Sequence, residues 1–456
     1  MSDAIKPSMP QHETLKSRKD RNRVILALAL PMMGGMLSQN VMNLVDTGMV
    51  GTQGKTALAA VGTGSFASFM AVAIMMGLSA GVQAIASRRF GEGNTDGTAA
   101  PLNAALIVAF SVGIPISIGL YFLSPEAVPF LNSDTDIQKI CVPYVQLRVL
   151  GIAAVGANFA SRGFWNGINR PGYYLRSLIF MNLANIVLNY IFIFGHLGAP
   201  KMGAVGAGLG SLIATWLGVF YYFYLGFRYA RPYGFLKARP SRKILNSVVR
   251  LSLPTGFQMM LFAGGYTAMF WILGLAGEDH AAAGMVLINV MLLAILPGIG
   301  MGLAAASLVG QAMGRKDTED ARRWGWDVVR IAAMVMISIG LIMAIFPNQI
   351  LGVFIHDPGP LLKAELPLRI FGLFIGVDAV GLVLQHSFRG AGATFQAMII
   401  GVMLQWGLFL PVAYIVGPVM GNGILAVWIT MMGYRALQAS IYAVLWNRGT
   451  WSKVKV

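Results

Sequence analysis

Two carboxylates stand in stretches otherwise as apolar as a membrane span: Asp46 in NVMNLVDTGMV (40–50) and Asp378 in FIGVDAVGLV (374–383). Holding a carboxylate at that depth costs roughly 2.5–3.5 kcal/mol, so such a group ordinarily faces a cavity and takes part in transport. The chemistry it offers is reversible capture of a proton or a cation, because burial favours the neutral form of an acid and moves its proton exchange toward the working pH. Helical spacing gives Asp46 company. Gln39, Asn43 and Asp46 fall at i, i+4 and i+7, and Asn182, Asn185 and Asn189 at i, i+3 and i+7, each set a polar stripe on one helix face. Two such stripes on separate helices can converge on one wet pocket. Asparagine also bonds membrane helices to one another, and spacing alone leaves that structural role open.

Asp378 has Gln385 and His386 one to two turns along its helix. An imidazole is a natural proton carrier, but His386 stands beside SFRG near a span end, which predicts a surface role. Gln258 and Tyr266 in the seventh apolar run are further candidates for a polar cavity. Met75, Met76, Met285 and Trp406 read mostly as packing; a few such side chains lining a cleft would suit a greasy, aromatic or cationic ligand. The histidines are scattered and Cys141 is alone, so neither a metal site nor a disulfide is expected. No catalytic constellation and no cofactor motif is present, which argues against a membrane-embedded enzyme.

The elements that must position these groups follow from composition. The 456 residues are 56% hydrophobic and 11% charged, against about 25% charged in soluble proteins. Apolar segments of about 20 residues, each long enough to cross a bilayer, recur along the whole chain, and the alternating short segments of a β-barrel are absent. The expected fold is all-α and polytopic, with roughly twelve spans near 24–50, 58–86, 102–123, 137–162, 175–195, 204–227, 244–275, 281–310, 328–350, 361–388, 395–418 and 423–446. No signal peptide is expected, since the polar basic start runs straight into a full-length span.

The net charge of +16 is a matter of sidedness. Most Lys and Arg, among them Lys16, Arg18, Arg88, Arg89, Arg231, Lys237, Arg239, Arg242, Arg315, Lys316, Arg322 and Arg323, fall in the tails and the loops on one side. The other side holds Lys55, Lys139, Arg148, Lys201, Lys363 and Arg369, while Arg435 lies within the last span. That bias predicts both termini in the cytoplasm and contact with anionic lipid, and it removes the reason to expect nucleic-acid binding. The chain also resembles itself. GLSAGVQAIASRRFGEGNTD from Gly77 matches GMGLAAASLVGQAMGRKDTE from Gly300, and at the same offset Pro31 in LALPMM faces Pro254 in RLSLPTG. An even number of spans per half makes these parallel repeats, with a substrate site expected between the lobes. The expected organisation is a basic tail at 1–23, an N-lobe at 24–230, a cytoplasmic linker at 231–243, a C-lobe at 244–447 and a tail at 448–456.

LALPMMGGMLSQNVMNLVDTGMVG (28–51), NIVLNYIFIFGHLGAPKMGAVGAG (185–208) and VDAVGLVLQHSFRGAGAT (377–394) together resemble the first, fifth-to-sixth and tenth helices of the multidrug and toxic compound extrusion (MATE) family. The resemblance spans nearly the whole chain. It implies two pseudo-symmetric six-helix lobes in a V, exporting organic cations and other drugs against entry of protons or sodium. By position it makes Asp46 the N-lobe coupling carboxylate with Asn185 and Asn189 as partners, places Asn158 near the same cluster, makes Pro31 the bend point of the first helix, and makes Asp378 the C-lobe carboxylate. One departure stands out. Some sodium-coupled members carry a seventh-helix Glu beside the tenth-helix Asp; here LPTGFQMMLFAGGYTAMFWILG has no acid, and Phe262 stands near that place. Asn189 stands where some relatives have Asp.

The expected function is therefore alternating-access antiport of organic cations, drugs or toxic metabolites, by a monomer in a bacterial inner membrane. Asp46 would grip a cationic substrate when ionised and release it on taking up an external ion. The proton is the favoured ion, since one carboxylate suffices for it while sodium wants several hard oxygens; sodium stays open. A dedicated single-metabolite exporter or a lipid-linked flippase of the same wider fold is the alternative. A pyrophosphate-bearing lipid should require several cavity cations, and Arg435 is the main mid-span candidate.

Overall fold

The computed structural model describes residues 17–237, 239–354 and 357–454. Lys16 and the rest of 1–16 in the expected tail, and Ala238 in the expected linker, lie outside the described residues. Eleven helices are long and apolar enough to cross a membrane, and a pair bent by 48° makes a twelfth. One label per span gives α1 (Arg18–Gly51), α2 (Lys55–Gly91), α3 (Ala100–Leu131), α4 (Thr135–Val149 plus Ile152–Gly167), α5 (Pro171–Phe194) and α6 (Ala204–Tyr233). The second half supplies α7 (Arg242–Leu275), α8 (Glu278–Gly314), α9 (Thr318–Ile345), α10 (Pro358–Gly390), α11 (Thr394–Val419) and α12 (Gly423–Arg448). Every expected span is found. The bend in the fourth, and the π-helical turns Met403–Phe409 and Ile415–Val419 inside α11, were not expected.

Local chemistry sets the helix ends. Ser17 accepts from the Asp20 amide ahead of α1, Ser241 from Ile244 ahead of α7, and Asp317 from Asp320 ahead of α9, each satisfying a first-turn donor that no carbonyl reaches. Gly195 ends α5 at φ 78°, a left-handed conformation that a side chain would strain. Around the perimeter, apolar side chains such as Phe122, Leu373 and Ile345 are exposed; in a bilayer this surface meets lipid, and the helices satisfy their own backbone groups.

Two apolar cores form, one per lobe, but α1 and α7 cross between them. Ile25, Leu28, Ala29 and Met32 of α1 pack in the C-lobe core. Reciprocally, Val248 and Leu251 of α7 pack in the N-lobe core, while Met269 and Leu273 further along α7 rejoin the C-lobe. Each helix has its proline near the crossing, Pro31 in α1 and Pro254 in α7. The expected boundaries at 24 and 244 therefore follow chain order, not packing.

The lobes are closed on the half nearer both described chain ends, the basic face. Gln83 of α2 donates to the Leu303 carbonyl and the Ser307 hydroxyl of α8, both at 2.8 Å. Gln311 of α8 and Asn169, just past α4, exchange two amide bonds of 2.8 and 3.0 Å. At the face itself Arg21 of α1 pairs with Asp320 of α9 at 2.8 Å, and its guanidinium lies 3.6 Å from the centre of the Trp324 ring. Gly91 lies so close to the Gln311 backbone that any side chain there would collide with it.

Candidate functional site

Asp46 lies near the end of α1 away from the basic face, and α5 brings its asparagines to it. Asn189, fully buried, donates through Nδ2 to Asp46 Oδ1 at 2.7 Å. Asn185, one turn earlier, has its amide oriented by the surrounding network: Nδ2 donates to Asp46 Oδ1 at 3.1 Å and Oδ1 accepts from the Ser211 hydroxyl of α6 at 3.2 Å. Gly210 lets the α6 backbone approach the Asn189 side chain. Asn189 Oδ1 is buried and has no hydrogen-bond partner. The result is a half-buried carboxylate gripped by two amides.

No cation pairs directly with Asp46 among the described residues. The charge of Arg148, next to the bend in α4, reaches it only from outside ion-pair distance. Neutral donors can hold a carboxylate in place while leaving its charge uncompensated, so the site retains an attraction for a mobile cation. Asn182 bonds the Ser38 hydroxyl of α1 at 2.8 Å and acts between helices. Gln39 and Asn43 are exposed and share a weak 3.4 Å bond; they continue the polar stripe from Asp46 without entering its shell. Asn158 donates to the Thr215 carbonyl of α6 at 2.9 Å and supports the helix that carries Ser211, without bonding Asp46.

The C-lobe is built differently from the expectation. Asp378 of α10 is not a free carboxylate: Arg435 of α12 holds it with Nε–Oδ1 at 2.7 Å and Nη2–Oδ2 at 2.6 Å. Both side chains are about 5% exposed or less. Asp378 is thus held unlike Asp46, with a bidentate guanidinium on both its oxygens. Gln258 is likewise engaged, accepting from Arg389 at 2.8 Å and donating to the Ala397 carbonyl at 3.3 Å, so it does not line an open cavity. His386 is buried, not at the surface, with Nδ1 at 2.8 Å from the Leu382 carbonyl. Tyr266 packs edge-on against Phe262 with ring centres 4.8 Å apart, and Gln385 is partly buried. Sequence reasoning missed Ser211, Ser38 and the pairing of Arg435; only the last had a signal, as a lone mid-span cation in the lobe with a lone mid-span acid.

The MatE family model matches residues 31–191 and again 254–415. The two matches fall on the two repeats and together cover most of the chain. The chain belongs to the MatE family. Members of this family are transporters, and an enzymatic role is set aside. Similar proteins include a probable multidrug resistance protein NorM of Thermotoga maritima, 26% identical over 98% of this chain and 96% of its own length. Another, of Synechocystis sp., is 27% identical over 93% and 94%. Among solved structures, an outward-facing multidrug resistance MATE family transporter of the MOP superfamily superposes with a TM-score of 0.88 at 24% identity, covering 96% of this chain and 98% of that one. A MOP superfamily transporter from Pyrococcus furiosus gives 0.87 at 23%, covering 95% and 97%. At these identities the likeness is one of fold, and this MatE transporter shares the two-lobed, all-helical architecture.

Proposed function

We propose that this MatE transporter is an antiporter that exports organic cations, drugs or toxic metabolites in exchange for protons taken up at Asp46. It does so as a monomer in a bacterial inner membrane, with both termini in the cytoplasm and anionic lipid around its basic face. The carrying observation is a carboxylate held by Asn185 and Asn189 with no cation paired to it among the described residues. In its ionised form it attracts a cationic substrate; protonated from the far side, it gives that attraction up. Ion and substrate then favour opposite lobe arrangements, which is the condition for coupling. Closure on the basic face corresponds to the arrangement that would take up ions from outside. No resident cofactor is needed in this scheme.

Sodium is the second reading, since a carboxylate with amides around it offers the hard oxygen that sodium takes. Ethidium release from vesicles, driven separately by pH and sodium gradients, decides between them. Release under the pH gradient in sodium-free buffer supports the proton; release only on a sodium pulse at clamped pH and voltage supports sodium. The dedicated-exporter and flippase alternatives predict no ethidium release under either gradient, and pairing of Arg435 with Asp378 leaves a flippase without its main cavity cation.

A further inference from the structure

The two lobes treat their buried acids in opposite ways. In the N-lobe, amides alone hold Asp46. In the C-lobe, a bidentate guanidinium holds Asp378 at mid-span, where almost no solvent reaches either partner. We infer that Arg435 acts as a fixed counter-cation that takes Asp378 out of ion exchange, so that each transport cycle is coupled to one cation, through Asp46.

The geometry allows little else. Both Asp378 oxygens accept a charge-assisted bond from Arg435, and a paired fork of this kind is strong and directional. An arriving proton or metal ion would have to break both bonds to a guanidinium that is itself buried. The ionisable groups beside Arg435 are Asp378 itself, Tyr434 of the same helix and Tyr266 of α7; the two tyrosines are neutral phenols, and neither supplies a second carboxylate to release it. Without a partner, a carboxylate as buried as Asp378 would be an uncompensated charge. Arg435 neutralises it from within the protein.

This inference rests on the reading that Asp46 is the coupling site, and the tests separate the two. On the unaltered chain, reconstituted with ethidium as probe, the steady ethidium gradient sustained by an about tenfold gradient of the driving ion at zero voltage should be about tenfold for one coupled cation. A gradient approaching about a hundredfold means two, and overturns the inference. The second test replaces the pair by neutral groups, Asp378→Asn with Arg435→Met. Expected is gradient-driven efflux within about threefold of wild type and an unchanged ratio of ions to ethidium. Loss of efflux in a double variant that keeps its wild-type elution profile and thermal transition would show that Asp378 carries a coupled charge. Should Asp46→Asn instead retain driven efflux, the Asp46 reading fails, and that result is independent of the double variant.

Discussion

At the scale of single residues, the Asp46 cluster is a hydrogen-bonding problem with a transport consequence. Hydrogen bonds to a charged acceptor contribute roughly 1.5–3 kcal/mol each, so truncating either amide should disorder the carboxylate without unfolding a 456-residue bundle. Asn185→Ala and Asn189→Ala are expected to slow efflux by about tenfold or more, whereas Asn422→Ala, in the loop before α12, should leave the rate near wild type. Equal rates for all three, measured at matched membrane levels, would reduce the cluster to helix glue. Arg435→Met alone should behave in another way. Removing one member of a buried pair costs roughly 3–5 kcal/mol, so that variant should show a lowered thermal transition that Asp378→Asn largely restores. Helical periodicity made the two polar stripes legible, Asp46 on one and Asn185 with Asn189 on the other, but their meeting was implied only by the family resemblance. Ser211 was not legible, since a serine in an apolar span carries no mark of which helix it will meet. Gln258 and His386 misled for the same reason: a polar side chain in a span can face a cavity or a partner, and only packing chooses.

At the scale of elements, α1 and α7 matter most. Each begins in the core of the opposite lobe and crosses near an internal proline, Pro31 or Pro254. Proline removes an intrahelical bond and weakens the ladder at that point, so each helix can bend where its two halves answer to different lobes. Pro31→Ala and Pro254→Ala should therefore both lower the turnover rate several-fold while leaving equilibrium binding of ethidium close to wild type. Reduced binding with unchanged turnover would contradict a hinge role. The span positions were readable from apolar length and basic loops. The crossing of α1 and α7 was not, because both lobes present the same kind of apolar surface to a helix end. Nor was the α4 bend, whose Leu150–Gly151 junction carries no proline.

At the scale of the molecule, the repeat explains both the symmetry and its breaking. Two like-oriented copies of one six-helix unit, matched separately by the MatE model, meet at small residues on the basic face. There Gly91 abuts the Gln311 backbone, and Gln83 spans to α8. A bulky Gly91→Leu should block this closure, leaving cysteine pairs across the basic face unable to cross-link that would otherwise do so. Cross-linking at the wild-type rate would show that the closure does not depend on close backbone approach. The symmetry is broken where charge is concerned, with a mobile partner expected for Asp46 and a fixed one present for Asp378. Coupling of ion entry to export at Asp46 is decided by ethidium release from reconstituted vesicles under a pH gradient in sodium-free buffer, for wild type and Asp46→Asn at equal protein per lipid. Release by the wild type should depend on the gradient, and the variant, which should still fold, should lose at least about tenfold. Near-normal release by Asp46→Asn, or no response of the wild type to the pH gradient alongside a strong response to sodium, would contradict it.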